Sequence, residues 1–232
     1  MYRDIRVLFI GNSHTYFNDM PHLFAEKYNE CTGCHAEVTM LAYSGRTLEW
    51  HMEELFSVRF NLLYGHYDYC VIQQAAHPFP GKDTTFEFGK KIIEICNVSG
   101  TKPVLFMTWA EKAYPENQQK MIDCYSELAA ETGALLAPVG IIWRSLLNDP
   151  DIDLFFSDGE HASVLGDYLI ALTICSLFVD VEDLSKASGK AIDFNITMEN
   201  DTLYVPNTPI IPSPEISQSK IDKLINAIKS NP

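Results

Sequence analysis

Positive charge is what this sequence most lacks. Its 17 lysines and arginines face 31 aspartates and glutamates, for a net charge of -14. Nucleic-acid binding rests on a basic footprint against phosphates, and an anionic membrane surface asks for the same, so neither partner is expected. Long apolar runs are missing too. No stretch approaches the roughly 20 residues of a membrane-spanning helix. Met1-Tyr2-Arg3-Asp4 runs straight into an apolar segment with no leader-like stretch before it, which gives a cytoplasmic chain as the expectation.

No internal repeat or low-complexity tract interrupts the 232 residues, a length that one α/β core can fill. Nothing in the sequence motivates a disulfide, the pair Cys31–Cys34 included. Cys31, Cys34, Cys70, Cys96, Cys124 and Cys175 stand mostly in apolar surroundings, the setting of reduced, buried thiols. Cys31, Cys34 and His35 spell Cys-x-x-Cys-His, the haem-attachment pattern, but nothing else in the chain accompanies it. No cofactor and no metal are expected. The Asn-x-Ser/Thr triplets at Asn97 and Asn195 carry meaning only in a secreted chain.

What is present is a regular alternation. Short continuous apolar runs at Ile5–Ile10, Glu37–Ala42, Tyr69–Gln73, Val104–Trp109 and Ala134–Ala137 predict strands covered on both faces. Helical periodicity between them predicts helices over Pro21–Glu30, Leu48–Leu63, Thr85–Cys96 and Glu116–Thr132, with a fifth over Val164–Val179. Gly33, Gly100 and Gly133 follow three of these as stop signals. Strictly alternating β and α imply right-handed crossovers and a doubly wound parallel sheet.

One domain is expected over residues 1–180. Residues 181–232 read as an arm with short edge strands at Ile192–Ile196 and Thr202–Val205, followed by a helix docked on the same domain. That helix is expected to start with Ser213 as cap and Pro214 in its first turn, and to bury Ile221, Leu224, Ile225 and Ile228.

In such a sheet, ligands bind where the strands end at their carboxyl side. Five loops therefore matter: Gly11–Thr15, Tyr43–Arg46, Gln73–Pro80, Ala110–Tyr114 and Pro138–Trp143. The first breaks an apolar run into Gly-Asn-Ser-His-Thr, and Ser13 there is either a helix cap or a nucleophile at a helix start, where free N–H groups would favour an oxyanion. A nucleophilic serine needs a base. Downstream, Asp158-Gly159-Glu160-His161 opens onto a long apolar helix. Asp158 there is either a cap or the carboxylate that orients His161 toward Ser13.

Together, "FIGNSHT" and "SDGEHAS" resemble the first and last blocks of the SGNH (GDSL-like) hydrolase superfamily, over roughly residues 5–179. The resemblance implies a flavodoxin-like three-layer α/β/α sandwich on a five-stranded parallel sheet. It also implies Ser13 as nucleophile, His161 as base and Asp158 as its acid. Ser13 and Gly45 in "LAYSGRTL" would supply oxyanion-hole amides. The family's third block normally adds an asparagine after strand three, yet this chain has "DYCVIQQAAHP". As in some subfamilies with glutamine there, Gln73 is expected to be the donor, with Gln74 in reserve; a buried strand-end glutamine that bonds a neighbouring loop is the other reading. The implied activity is esterase action on small acyl esters, such as O-acetyl groups on carbohydrates. A flavodoxin-like phosphate- or FMN-binding protein, or a catalytically silent glycan-binding relative, are the alternatives. Trp109, Tyr43 and His77 fall in loops at the same edge, while His14 receives no role.

Overall fold

The computed structural model describes residues 1–194, 197–199, 202–204 and 211–231. Five parallel strands make the central sheet: β1 (Ile5–Gly11), β2 (Ala36–Ala42), β3 (Tyr69–Ile72), β4 (Lys102–Phe106) and β5 (Leu135–Ala137), in the order β2-β1-β3-β4-β5. β1 pairs with β2 from Ile5 opposite Ala36 to Gly11 opposite Ala42, and with β3 from Val7 opposite Tyr69 to Ile10 opposite Ile72.

The unbroken apolar run of β1 is explained by the two cores. Val7 and Phe9 enter one, against α2 (Met20–Thr32), α8 (Val164–Cys175) and α9 (Gln218–Ser230). Leu8 and Ile10 enter the other, with α3 (Leu48–Glu53), α4 (Leu55–Tyr64), α5 (Lys82–Ser99) and α6 (Asn117–Thr132). A strand covered on both sides has no solvent face on which to alternate. The architecture is the three-layer α/β/α sandwich.

Three expectations about elements are corrected. A single helix over Leu48–Leu63 is broken at Glu54 (φ -82°, ψ 37°) into α3 and α4. The break separates two tasks. α3 keeps His51 on the Gly11 carbonyl, and α4 turns Val58 and Leu62 into the core. The supposed loop Pro138–Trp143 opens α7 (Val139–Leu146), which buries Val139, Ile142, Trp143 and Leu146. The last helix starts later than expected. Ser217 occupies its N-cap position, while Ser213 is buried and accepts a hydrogen bond from the Ile192 N–H at 3.1 Å.

The arm is tied to the body by polar contacts as well as by α9. Buried Lys27 donates to the Ser188 carbonyl at 2.7 Å and to Glu30 at 2.8 Å, and Tyr168 donates to the Lys190 carbonyl. Gly189 has no room for a side chain: a Cβ there would lie 1.8 Å from the Ile216 carbonyl oxygen. Short antiparallel pairs, Asp193–Phe194 (β6) with Ile211–Pro212 (β9) and Thr197–Glu199 (β7) with Thr202–Tyr204 (β8), complete the described arm. Asn195, Ile196 and Val205 lie outside the described residues.

Candidate active site

Strand order reverses around β1, which has β2 on one side and β3 on the other. The carboxyl end of β1 is therefore the crevice in which this kind of sheet binds ligands. Immediately after it, Asn12 caps the short helix α1 (Ser13–Tyr16), its side-chain oxygen accepting from the His14 N–H at 3.1 Å. The Asn12 amide also donates to the Arg46 carbonyl at 3.1 Å, tying the Ser13 turn to the loop that carries Gly45.

Ser13 Oγ lies 2.8 Å from His161 Nε2, and His161 Nδ1 lies 2.6 Å from Asp158 Oδ2. The other Asp158 oxygen accepts from the backbone N–H groups of Glu160, at 2.8 Å, and His161, at 3.0 Å. Partial burial works to raise the Asp158 carboxyl, but those amides and the His161 ring outweigh it and hold it below the usual carboxylate range. An anionic Asp158 sets the His161 tautomer with the proton on Nδ1, leaving Nε2 free to accept from the Ser13 hydroxyl.

Rings hold the imidazole in place. Phe17 lies flat on it, with centroids 4.1 Å apart and planes within 8°. His14 stacks on it at 4.8 Å and 27°. No ring contact joins Phe17 and His14 among the described residues, as expected of rings on opposite faces. Sequence reading missed Phe17 and left His14 unassigned, because ring stacking across a turn leaves no periodic signal.

Trp109 is a core residue. It is fully buried, stacks on Trp143 at 4.0 Å and 3°, and donates its indole N–H to the Glu160 carbonyl at 2.9 Å. It braces the loop bearing Asp158 and His161. Lys112 N–H adds a bond to the Gly159 carbonyl at 2.9 Å. Tyr43 stays half exposed and packs on Trp50. His77 bridges His14 and the Trp109 carbonyl.

Gln73 departs from the expected donor role. Its side chain is fully buried. The amide oxygen accepts from the Asn12 N–H at 2.8 Å and the Thr15 hydroxyl at 2.9 Å, and the amide nitrogen donates to the Gln74 carbonyl at 2.6 Å. Gln73 thus braces the Ser13 turn from beneath instead of offering an amide to a ligand. Gly11 makes room for it, since a Cβ at Gly11 would lie 2.3 Å from Thr15 Oγ1 and 2.4 Å from Gln73 Oε1. Gln74 turns its oxygen to the N–H groups of Leu48 and Ala75, and its own nitrogen is buried.

Two backbone donors remain, one on the Ser13 turn and one on the Gly45 loop tied to it through the Asn12–Arg46 bond. Among the described residues, nothing accepts from the N–H of Ser13 or of Gly45. Gly45 is exposed at φ +67°, a left-handed conformation that glycine adopts without strain.

Elsewhere, a cavity of about 480 Å³ borders Ala76 and Pro78, the residues on either side of His77, and reaches Glu111 and Lys120. A second, of about 430 Å³, lies beyond Trp143 between Arg144, Leu154 and Phe155, and touches none of Ser13, Asp158 or His161. The six cysteines are free thiols, Cys31 buried and Cys34 partly so. Among the described residues, no group of three or more His, Cys, Asp or Glu side chains is placed to hold a metal ion. No described helix is long and apolar enough to cross a membrane.

The fold defines a class: a parallel α/β/α sandwich of flavodoxin-like strand order. Within it, the chain is similar to solved esterase structures. Axe2, an acetylxylan esterase from Geobacillus stearothermophilus, superposes with a TM-score of 0.61 at 12% identity, over 78% of this chain and 94% of that one. The psychrotrophic esterase EstA from Pseudoalteromonas sp., in a structure inhibited by monoethylphosphonate, gives 0.58 at 14% identity, over 75% and 96%. A member of the lipolytic G-D-S-L family from Veillonella parvula gives 0.59 at 12% identity, over 75% and 97%. At such identities the likeness is one of fold. No family model matches the sequence, and no curated protein matches it.

Proposed function

We propose that the chain is a serine esterase of the SGNH type that cleaves small acyl esters, with O-acetyl groups on carbohydrates as the leading substrate class. The observation that carries this reading is the unbroken hydrogen-bond line from Ser13 Oγ through the His161 ring to Asp158. Ser13 Oγ attacks the ester carbonyl carbon while His161 Nε2 takes its proton. The N–H groups of Ser13 and Gly45 stabilise the tetrahedral oxyanion. His161 then returns the proton to the departing alkoxide, leaving Ser13 acylated, and a water activated by the same imidazole releases the acid. Asp158 and the flat ring of Phe17 both favour the imidazolium that forms on the way.

A hole of two backbone amides, without a side-chain donor, is expected to turn over more slowly than one of three, because one donor accounts for about 10²–10³ in kcat. The acetyl preference draws on similarity to Axe2, whose substrate is acetylated xylan by name. Against a phosphate- or flavin-binding loop stands the placement of the Ser13 hydroxyl on an imidazole.

The test is a panel of nitrophenyl esters and acetylated sugars on wild type and Ser13→Ala together. Wild-type turnover of the short acyl members, with a loss of about 10³-fold or more in Ser13→Ala, supports the reading. Equal turnover by the two proteins overturns it.

A further inference from the structure

Behind His161, a chain of polar groups, buried at Asn12 and His14 and half-buried at His77, is one proton short. Asn12 Oδ1 lies 3.3 Å from His14 Nδ1, His14 Nε2 lies 3.2 Å from His77 Nδ1, and His77 Nε2 lies 3.1 Å from the Trp109 carbonyl oxygen. Both ends of this chain are acceptors. The Trp109 end is a carbonyl. The Asn12 end is fixed as oxygen, because the same atom accepts from the His14 N–H while its nitrogen donates to Arg46. Three contacts between acceptors and imidazole nitrogens need three N–H protons. Two neutral imidazoles bring two.

In the neutral pair one of the three contacts is left without a proton. A single added proton on His14 would satisfy all three. That proton would also put a cation against His161, whose ring stacks on His14 with centroids 4.8 Å apart.

We propose that His14 and His77 form a second imidazole couple that takes up one proton, and that this proton and the positive charge on His161 oppose one another, so that the second of the two is taken up only at lower pH than the first. The pair is thus a positioning device with a charge condition. Neutral, it holds one face of the His161 ring and lets the imidazolium form. Protonated, it opposes the base. The inference deepens the esterase reading and rests on His161 acting as its base.

The surroundings on every side fit a pair that is neutral at rest and loaded by acid. For His14, burial, then His77, then His161 disfavour the charge, and the Glu160 carbonyl favours it, leaving the ring well below the ordinary histidine range. For His77, burial lowers, Glu111, the Trp109 carbonyl and Glu160 raise, and His161 lowers, with the balance again downward. Asp158 faces the far nitrogen of His161, and Asn12 and Phe17 add no charge. Coupled groups of this kind titrate as a set.

The experiment is the acid limb of log kcat/KM for wild type, His14→Phe and His77→Gln, with 15N NMR titration of the imidazoles in Ser13→Ala. The wild-type limb should steepen to a slope of about 2 at its acid end, and each variant should keep a slope of about 1. In the spectra, His14 and His77 should together gain one proton as a coupled pair. A wild-type slope of about 1 throughout, with His14 and His77 titrating independently, overturns the proposal, as does a variant that retains the steeper slope. Should His14→Phe fail to fold, His77→Gln and the spectra decide. The NMR proton count stands without catalysis, so it separates failure of the pair from failure of the esterase reading, which Ser13→Ala turnover tests alone.

Discussion

The ring of Phe17 lies flat against the imidazole of His161, with centroids 4.1 Å apart and planes 8° from parallel. A positive charge over the face of an aromatic ring is attracted by about 0.5–2 kcal/mol, and in the proposed reaction His161 takes on that charge as Ser13 attacks. Phe17→Leu retains apolar volume in a site that is 2% exposed but removes the aromatic face. The expected result is a fall in kcat of about 3–30-fold with KM little changed, read by steady-state kinetics on a nitrophenyl ester. A kcat equal to wild type would show that the stacking contributes nothing to the reaction.

Gln73 separates two readings of the same residue. As the brace seen here, its oxygen holds the Asn12 N–H and the Thr15 hydroxyl. Gln73→Leu should then cost about 1–3 kcal/mol of stability, visible as a lower Tm, since a buried donor loses its acceptor. As an oxyanion donor, its loss would lower kcat by about 10²–10³ and leave Tm in place. The geometry predicts the first pattern.

Gly11→Ala attacks that arrangement from the other side. Its new Cβ would meet Thr15 Oγ1 and Gln73 Oε1 at 2.3 and 2.4 Å, well inside contact distance. Both atoms belong to buried, hydrogen-bonded groups, so neither can swing away freely. A loss of about 1–3 kcal/mol is expected in urea unfolding. Unchanged stability would mean that the turn beneath Ser13 gives way easily.

Asp167 makes stability depend on pH with an unusual sign. Burial, opposed by the Asn18 amide bond at 2.6 Å, drives its carboxyl well above the ordinary range, and its Oδ1 has no partner among the described residues. Between the unfolded and folded pKa values the folded chain binds one more proton than the unfolded chain, so this group contributes a stability that declines as pH rises through that window. Asp167→Asn carries no such proton. Its stability relative to wild type should therefore increase from about pH 4 upward in unfolding titrations. Parallel curves for the two proteins would contradict the assignment.

Much of this was legible in the sequence, for physical reasons that differ by element. β1 announced itself because Val7–Ile10 are buried on alternating sides of the sheet, which forbids polar residues along the whole run. The meeting of Ser13, Asp158 and His161 was legible because two short segments with matching chemistry bracket the fold. α7 was missed although Val139, Ile142, Trp143 and Leu146 have helical spacing, since Pro138 and a short length made the segment look like a loop. The orientation of Gln73 was hidden for another reason. A glutamine at a strand end offers both a donor and an acceptor, and which of them faces the turn is decided by Gly11 at the end of the neighbouring strand and Thr15 in the short helix after it. Phe17 and Trp109 act through rings that meet residues more than fifty positions away in a single case and over a hundred in the other, beyond any local pattern.

Covalent capture tests the central claim most directly. A reactive alkyl phosphonate ester, incubated with the pure protein, should add one phosphonyl group per chain by intact mass, mapped by peptide sequencing to Ser13. The same treatment should leave Ser13→Ala unmodified and His161→Ala nearly so, because the hydroxyl has no base to activate it. Modification of some other residue, or equal labelling of Ser13 with and without His161, would contradict the account.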